Sequence, residues 1–252
     1  PEDFAAAAAW SRAHPDAKGD EAVKMVENEP WDSSVASLVA FPEVLITFGG
    51  QPDWVRNMGD AFLAQPDDVM NSVQRLRQKA QAAGNLNSNE QVKVSMQAPE
   101  PAPPSATQTI VVQQSAPPPQ VIVIEQAQPS VIFVPSFNPT IVYGPWPWVA
   151  YPPFFFPPPP GFWWSRPIAT GIAWGVGIGV SNALWGGVRW GGGWGHNSVN
   201  INVNRYNNIN VNRRLDVNNR TANWNHNPDR RGNTPYRGGD ATRKNLENRR
   251  DA

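Results

Sequence analysis

Proline constrains this sequence more than any other residue, because it fixes φ and removes a backbone hydrogen-bond donor wherever it stands. The chain holds 27 Pro and 20 Gly in 252 residues, a share well above that of an ordinary globular domain. Proline-rich runs at 99–104, 117–119 and 152–160 exclude long helices and central strands there. We therefore predict a mainly α N-terminal small helical domain, followed by short β-strands and a long Pro/Gly/Asn-rich, largely irregular C-terminal half.

The first 86 residues carry the pattern of the small helical domain, with apolar side chains at helical spacing. Asp32 and Asp53 are predicted to cap two of the helices, and Gly84 suits a left-handed C-terminal cap. Pro42 predicts the end of the third helix and a turn over 44–48. The five predicted helices cover residues 4–13, 20–29, 35–39, 54–62 and 66–83.

Three segments follow this domain. Residues 87–119 are predicted to be a Pro-rich linker in extended polyproline conformation, with a possible short strand at 107–112. Residues 120–144 are rich in β-branched side chains between prolines, which predicts short strands at 121–124, 131–134 and 141–143. The Pro/aromatic-rich segment at 145–167 is either a platform for sugar or peptide, or a spacer whose rings pack on the helical domain. We favour the spacer, since no Asp, Asn or Gln accompanies the rings.

The Gly/Trp-rich apolar segment at 168–195 includes 21 residues, 168–188, without a formal charge. A helix of that length spans about 30 Å, close to the hydrocarbon thickness of a bilayer. Glycine recurs at every fourth position, the spacing that lets membrane helices approach closely. This predicts a possible membrane helix, the alternative being a partly buried or irregular Gly-rich stretch. We assign membrane insertion and self-association to Gly171, Gly175, Gly179, Trp174 and Trp185.

The Asn-rich segment at 196–227 alternates Val or Ile with Asn, which predicts a β-hairpin turning at 206–208. This segment is either a pairing edge for self-assembly, or an ordinary hairpin or a disordered tract. Residues 228–252 are predicted to form a basic disordered tail, which either contacts polyanions or is simply solvated. The predicted polyanion contacts are Arg205, Arg213, Arg214, Arg230 and Arg231.

The sequence offers no recognisable catalytic chemistry. Cys is absent, which excludes a disulfide framework, thiolate metal sites and thiol catalysis. His196 and His226 lie 30 residues apart without metal-ligand spacing, and His14 is better explained as a cap at the end of a helix. Nucleophile-elbow, Walker and dinucleotide-loop motifs are absent from the sequence. We predict no catalytic residue, no metal site and no cofactor.

Several blocks of sequence resemble a known bacterial family, catalogued as domain of unknown function 3300. The blocks are PWDSSVASLVAFPEVL at 30–45, DWVRNMGDAFLAQPDDVMNSVQRLRQKAQAAGNL at 53–86, NPTIVYGPWPW at 138–148, the Gly/Trp segment at 168–187 and VNINVNRYNNIN at 199–210. The resemblance covers most of the chain. It implies an exported protein, periplasmic or membrane-associated in a Gram-negative envelope, and it implies no catalytic residue. We expect the N-terminal domain to be truncated, with a signal peptide upstream of Pro1.

Charge is strongly segregated, which favours different roles for different parts of the chain. Residues 1–100 carry a net charge of −7 and residues 205–252 a net charge of +6. Our first hypothesis is a cell-envelope protein with a structural, interaction or self-association role, whose partner is an envelope surface or a second copy. The alternative is a polyanion- or glycan-binding module that uses the aromatic residues and the basic tail. An enzyme would need an acid pair that the sequence does not reveal, and no nucleic-acid partner is expected.

Overall fold

The computed structural model describes residues 2–97, 120–128, 131–153, 172–174, 178–179, 200–202, 221–223, 231–232, 234–240 and 242–244. Contacts divide the chain into two compact units. The first contains helices α1–α5, strands β7 and β8, and the described residues between 231 and 244. The second contains helices α6 and α7 and strands β1–β6. The domain boundary predicted near residue 86 therefore differs from the structure, in which α6 belongs with the strands.

Five helices form the first unit. They are α1 (Glu2–Ala13), α2 (Gly19–Met25), α3 (Ser33–Leu38), α4 (Pro42–Gly49) and α5 (Pro52–Ala64). The predicted N-terminal helical region is confirmed. The buried side chains are mostly small or β-branched, with Leu45 and Phe41 the largest of them. Such a core holds short helices together because small side chains let the helix backbones approach closely.

The approach of α1 to α4 depends on two small residues. Ala8 on α1 is 1% exposed, and Gly49 ends α4 beside it. A Cβ built on Gly49 would lie 2.5 Å from the Cβ of Ala8, closer than real carbon atoms approach. Glycine is therefore required at position 49 by packing rather than by backbone conformation.

The helix ends test the predicted caps. The Asp32 carboxylate accepts the Ser34 N–H at 3.0 Å and caps α3, as predicted. The Asp53 prediction is wrong, because Gln51 occupies the N-cap position of α5 and Pro52 its first turn. Proline also begins α4, so residues 44–48 are helical where we predicted a turn. In both cases proline starts a helix because the first-turn N–H has no intrahelical partner to lose.

The second unit is built on α6 (Pro66–Ala82) and an antiparallel pair, β1 (Val92–Gln97) with β2 (Val121–Gln126). Its core joins Ala80 of α6 to Leu86, Ile122 and Val142. Gly84 has φ +75°, which confirms the predicted left-handed end of α6. β1 lies within the predicted linker and corrects that prediction. Its alternation of Val92, Val94 and Met96 with polar residues was the signal for a strand.

Side chains occupy the outer edges of this strand pair. On the β2 side, Gln74 of α6 donates to the Ile122 carbonyl at 3.3 Å and accepts the Ile122 N–H at 2.9 Å. On the β1 side, the Ser88 hydroxyl bonds both the N–H and the carbonyl of Val94. The Asn89 side-chain oxygen accepts the Val92 N–H, and the Asn89 backbone N–H donates to the Val92 carbonyl. The outward backbone groups of Val92, Val94 and Ile122, which a third strand would use, are thus already bonded.

Short elements complete the second unit. β3 (Val131–Ile132) pairs with β6 (Ile178–Gly179), and β4 (Pro135–Ser136) pairs with β5 (Ala173–Trp174). The predicted strand at 141–143 is wrong, because these residues follow a cap into the one-turn helix α7 (Pro139–Val142). The Asn138 side chain accepts the Thr140 N–H at 3.0 Å, and Pro139 occupies the first turn. Local capping thus overrides the β preference of Ile141 and Val142.

The structure also describes parts of the two segments for which we predicted membrane insertion or self-association, 168–195 and 196–227. Residues 173–174 and 178–179 are strands, so the predicted helix over 168–188 is wrong at these positions. Among the residues that the structure describes, no helix combines the length and the apolarity needed to cross a membrane. In the first unit, β7 (Asn200–Asn202) is a strand as predicted, but its partner is β8 (Thr221–Asn223). The predicted turn at 206–208 and the predicted strand at 107–112 lie outside the described residues.

Candidate interfacial loop

The two most exposed large apolar residues that the structure describes in the second unit, Val149 and Tyr151, lie on one loop, residues 145–151, directly after α7; Met96 on β1 is also exposed but stands apart from this loop in sequence. Gly144 has φ +73°, a left-handed conformation that ends α7 and that glycine adopts without strain. Pro145 and Pro147 then fix φ at alternate positions. The Tyr151 N–H donates to the Trp148 carbonyl at 3.0 Å and closes a turn. The Trp146 indole donates to the Tyr151 carbonyl at 2.8 Å and ties the loop to itself.

A series of ring contacts connects this loop to the core. Phe137 and Tyr143 meet edge to face with centroids 5.6 Å apart, and both pack against the buried cluster. Tyr143 and Trp146 are 6.4 Å apart, and Trp146 and Trp148 are 5.2 Å apart at 71°. Aromatic pairs favour such tilted contacts, so the loop is held in place by ring packing as well as by hydrogen bonds.

The tip of the loop faces solvent with apolar side chains. Val149 is 92% exposed, Tyr151 77% and Trp148 52%. Ala150 between them is exposed as well. Because a folded chain gains by burying such groups, this contiguous exposed run on an ordered loop is the candidate contact surface of the second unit.

Two basic residues of α6 lie beneath the loop. The Lys79 ammonium stands 5.7 Å from the centroid of the Trp148 ring, within the range of a cation–π contact. Arg77 is half-buried and donates to the Ile122 carbonyl at 2.7 Å. Burial raises the pKa of Tyr143, and the neighbouring Arg77 charge opposes this only in part. Tyr143 is therefore a neutral phenol at physiological pH, and Lys79 supplies an exposed positive charge next to the apolar tip.

Comparison with known proteins identifies the family to which the chain belongs. Residues 1–226 match the family described as "Protein of unknown function (DUF3300)". The chain belongs to the DUF3300 family. It is 38% identical to "Uncharacterized protein YacH" of Escherichia coli (strain K12) in an alignment 281 positions long, which spans 97% of this chain and 45% of that protein. The DUF3300 chain thus spans less than half the length of this relative. No solved structure matches it.

The structure brings few of the predicted site residues of this DUF3300 protein together. Trp174 lies on β5, packs against the core of the second unit, and accepts the Gln91 side-chain amide on its carbonyl at 3.1 Å. Gly179 lies on β6 opposite Val131. Arg231 is paired with Asp60 of α5, which occupies the guanidinium that we predicted for a polyanion. The others, Gly171, Gly175, Trp185, Arg205, Arg213, Arg214 and Arg230, lie outside the described residues and stay predictions.

The described part of the DUF3300 chain brings no three His, Cys, Asp or Glu side chains together in an arrangement that could hold a metal ion. His14 follows α1, and its Nδ1 lies 2.8 Å from the Trp10 carbonyl, which confirms its role at a helix end. The sequence reasoning considered the aromatic rings of the loop but missed Lys79 and Val149. The spacing of Lys79 from the loop, about seventy residues, gave no signal in the sequence.

Proposed function

We propose that this DUF3300 protein is a non-catalytic interaction protein of the bacterial cell envelope that attaches to a bilayer surface through the 145–151 loop. The observation that carries the proposal is the exposed apolar tip at Trp148, Val149 and Tyr151, ordered by its own hydrogen bonds and flanked by Lys79. This arrangement has the two components of interfacial binding, an apolar part that inserts and a cation that meets anionic headgroups.

Each residue type of the loop suits a different depth in the interface. Val149 and Ala150 have no polar atom in their side chains and favour the acyl boundary. Trp148 and Tyr151 combine an apolar ring with a polar group, the pairing that enriches them at the level of the headgroups. Lys79 is a compact charge on a flexible stem that can extend to a phosphate. The prolines and ring contacts hold the loop in place before binding, which lowers the entropy lost on insertion.

The same geometry is less suited to a stacked sugar. The Lys79 ammonium already stands over the Trp148 ring, and the Trp146 indole N–H is used within the loop. Val149, the most exposed of the large apolar residues, has no flat face on which a sugar ring could stack. A glycan or lipopolysaccharide ligand is therefore the competing outcome of the test rather than the proposal.

The test is flotation of the purified full chain with vesicles of phosphatidylethanolamine and phosphatidylglycerol. We expect Val149→Ser to reduce the bound fraction, because full burial of a side chain of this size contributes about 1.5–3 kcal/mol. If Val149 inserts only partly, its contribution lies at the lower end of that range, and the substitution lowers the vesicle partition coefficient roughly tenfold. Met25→Ser is the matched control, since Met25 is 53% exposed on α2 of the first unit.

Two results would contradict the proposal. One is equal flotation of the wild type, Val149→Ser and Met25→Ser. The other is absence of flotation together with retention of the wild type on peptidoglycan or lipopolysaccharide, which would favour the glycan-binding alternative.

The envelope location belongs to the same proposal and is tested by fractionating cells. We expect the protein in the membrane pellet to resist a high-salt wash and to be released by alkaline carbonate without detergent.

A further inference from the structure

The basic C-terminal part of the chain is docked on the helices of the first unit at one point. Arg231 forms an ion pair with Asp60 of α5 at 2.6 Å, and the two side chains are each 9% exposed. Asp60 lies on α5, four residues before its last residue, Ala64. The nearer cation, Arg56, is paired with Asp53 at 2.9 Å. The positive partner of Asp60 therefore comes from 171 residues along the chain.

The segment around Arg231 is folded so as to present its guanidinium. Arg231 donates through Nε to the Thr234 carbonyl at 3.0 Å and through a terminal nitrogen to the Pro235 carbonyl at 2.7 Å. The Tyr236 ring lies against the guanidinium, with its centroid 4.0 Å from the central carbon. One side chain thus holds a compact turn together and also binds α5, and the same terminal nitrogen bonds both the Pro235 carbonyl and Asp60.

A glycine in this turn lies next to the start of α1. Gly232 has φ +59°, a left-handed conformation that favours glycine, and a Cβ built there would be in ordinary contact, at 3.6 Å, with a carboxylate oxygen of Glu2. The segment therefore lies between two acids of the first unit, Glu2 at the start of α1 and Asp60 on α5. Arginine fits such a site better than lysine, because its planar fork bonds several acceptors at once and stacks on a ring.

We infer that the first unit carries a docking site, centred on Asp60, for a short arginine-and-tyrosine peptide segment, and that Arg231 and the described residues 234–236 of the same chain fill it. The site recognises the guanidinium by the buried carboxylate of Asp60 and by the folded turn that Tyr236 supports. Its occupant is tethered, so a free copy of the segment has to compete with an intramolecular partner. The inference is independent of the proposed attachment to a bilayer.

The experiment uses the full chain and a fluorescently labelled peptide of residues 229–240, with binding followed by anisotropy. Arg231→Ala empties the site in the full chain, so this variant is expected to bind the peptide at least about tenfold more tightly than the wild type does. A peptide with Lys in place of Arg231 is the matched control and is expected to bind more weakly, because it keeps the charge but lacks the fork. Adding Asp60→Asn to the Arg231→Ala chain is expected to abolish binding.

Failure of the Arg231→Ala chain to bind the peptide saturably would overturn the inference, as would binding that is unchanged by Asp60→Asn. Circular dichroism first establishes that the variant is folded. If it is not, a double-mutant cycle in the full chain decides. Loss of the Arg231–Asp60 contact predicts that the two single substitutions each lower the Tm and that the double variant loses less than their sum. Strict additivity of the two losses would contradict a specific site.

Discussion

At the scale of single residues, the positions with the sharpest requirements are the ones where two backbones meet. Gly49 and Gly59 are both helical glycines of the first unit, yet their surroundings differ. A Cβ on Gly49 would meet the Cβ of Ala8 at 2.5 Å, whereas a Cβ on Gly59 would have nothing within 4 Å. The same substitution therefore has opposite expected effects at the two sites.

We predict that Gly49→Ala lowers the free energy of unfolding by about 1–3 kcal/mol, the usual cost of forcing an extra carbon into a packed contact. Gly59→Ala is expected to raise it by about 0.5–1 kcal/mol, because alanine loses less conformational freedom in a helix. Urea denaturation of the full chain, followed by circular dichroism, measures both. A stabilising effect at position 49 would show that α1 and α4 are not in the close contact described here.

At the scale of elements, part of what is decided locally could be predicted. The caps at Asp32, Gly84 and His14 depend on residues within a few positions and are confirmed, whereas proline at a helix start explains the local errors at Asp53 and at 44–48. The other errors in strand pairing concern partners that are distant in sequence. β1 was placed in a linker because its partner β2 follows a proline-rich stretch. β7 was predicted to pair with a strand at 209–212, whereas it pairs with β8. Such partners are chosen by packing, for which a single sequence gives no local signal.

Gln74 is a residue of α6 whose side chain is hydrogen-bonded to the backbone of β2. Its amide donates to the Ile122 carbonyl and accepts the Ile122 N–H, in a side chain only 3% exposed. We predict that Gln74→Glu destabilises the chain by about 1–3 kcal/mol, because it removes the donor and buries a charge facing the Ile122 carbonyl.

Gln78→Glu provides the comparison for that prediction in a chemical-denaturation series. Gln78 lies one helical turn along α6 and makes a single exposed bond to the Gln120 carbonyl at 3.2 Å. Its replacement is expected to cost little, since water can solvate the new carboxylate and the released carbonyl. Equal losses for the two variants would mean that the Gln74 contact with β2 contributes no more than a surface hydrogen bond.

At the scale of the whole molecule, distant parts of the chain meet within each unit. Residues 131–132 pair with 178–179 in the second unit, and Asp60 meets Arg231 in the first. The candidate loop also depends on such a meeting, because its cation comes from α6 and its rings from residues after α7. The sequence alone suggested the rings as a platform, but the combination of an apolar tip with Lys79 required the fold.

Attachment to a bilayer, as proposed, would combine insertion of the tip with attraction to anionic lipid. We predict that Lys79→Gln weakens binding to vesicles containing phosphatidylglycerol by roughly fivefold, as expected for about 1 kcal/mol per basic residue near the surface. Binding to purely zwitterionic vesicles should stay unchanged. Lys24→Gln, on the exposed side of α2, is the control and should bind like the wild type. A loss of the same size on both kinds of vesicle would assign Lys79 to holding Trp148 rather than to the lipid charge.

Because Asp60 pairs with Arg231, the first unit cannot be completed until the C-terminal part of the chain has been synthesised. At synthesis rates of about 5–20 residues per second, Arg231 leaves the ribosome roughly 10–35 s after Asp60, which precedes it by 171 residues. Helices α1 to α4, which end at Gly49, have left the ribosome before that interval begins, so Asp60 and its neighbours are available well before Arg231. The length of the intervening chain adds little to the cost of closure, about 0.6 kcal/mol for each doubling. Distance along the chain thus governs when the first unit is finished far more than how firmly it is held.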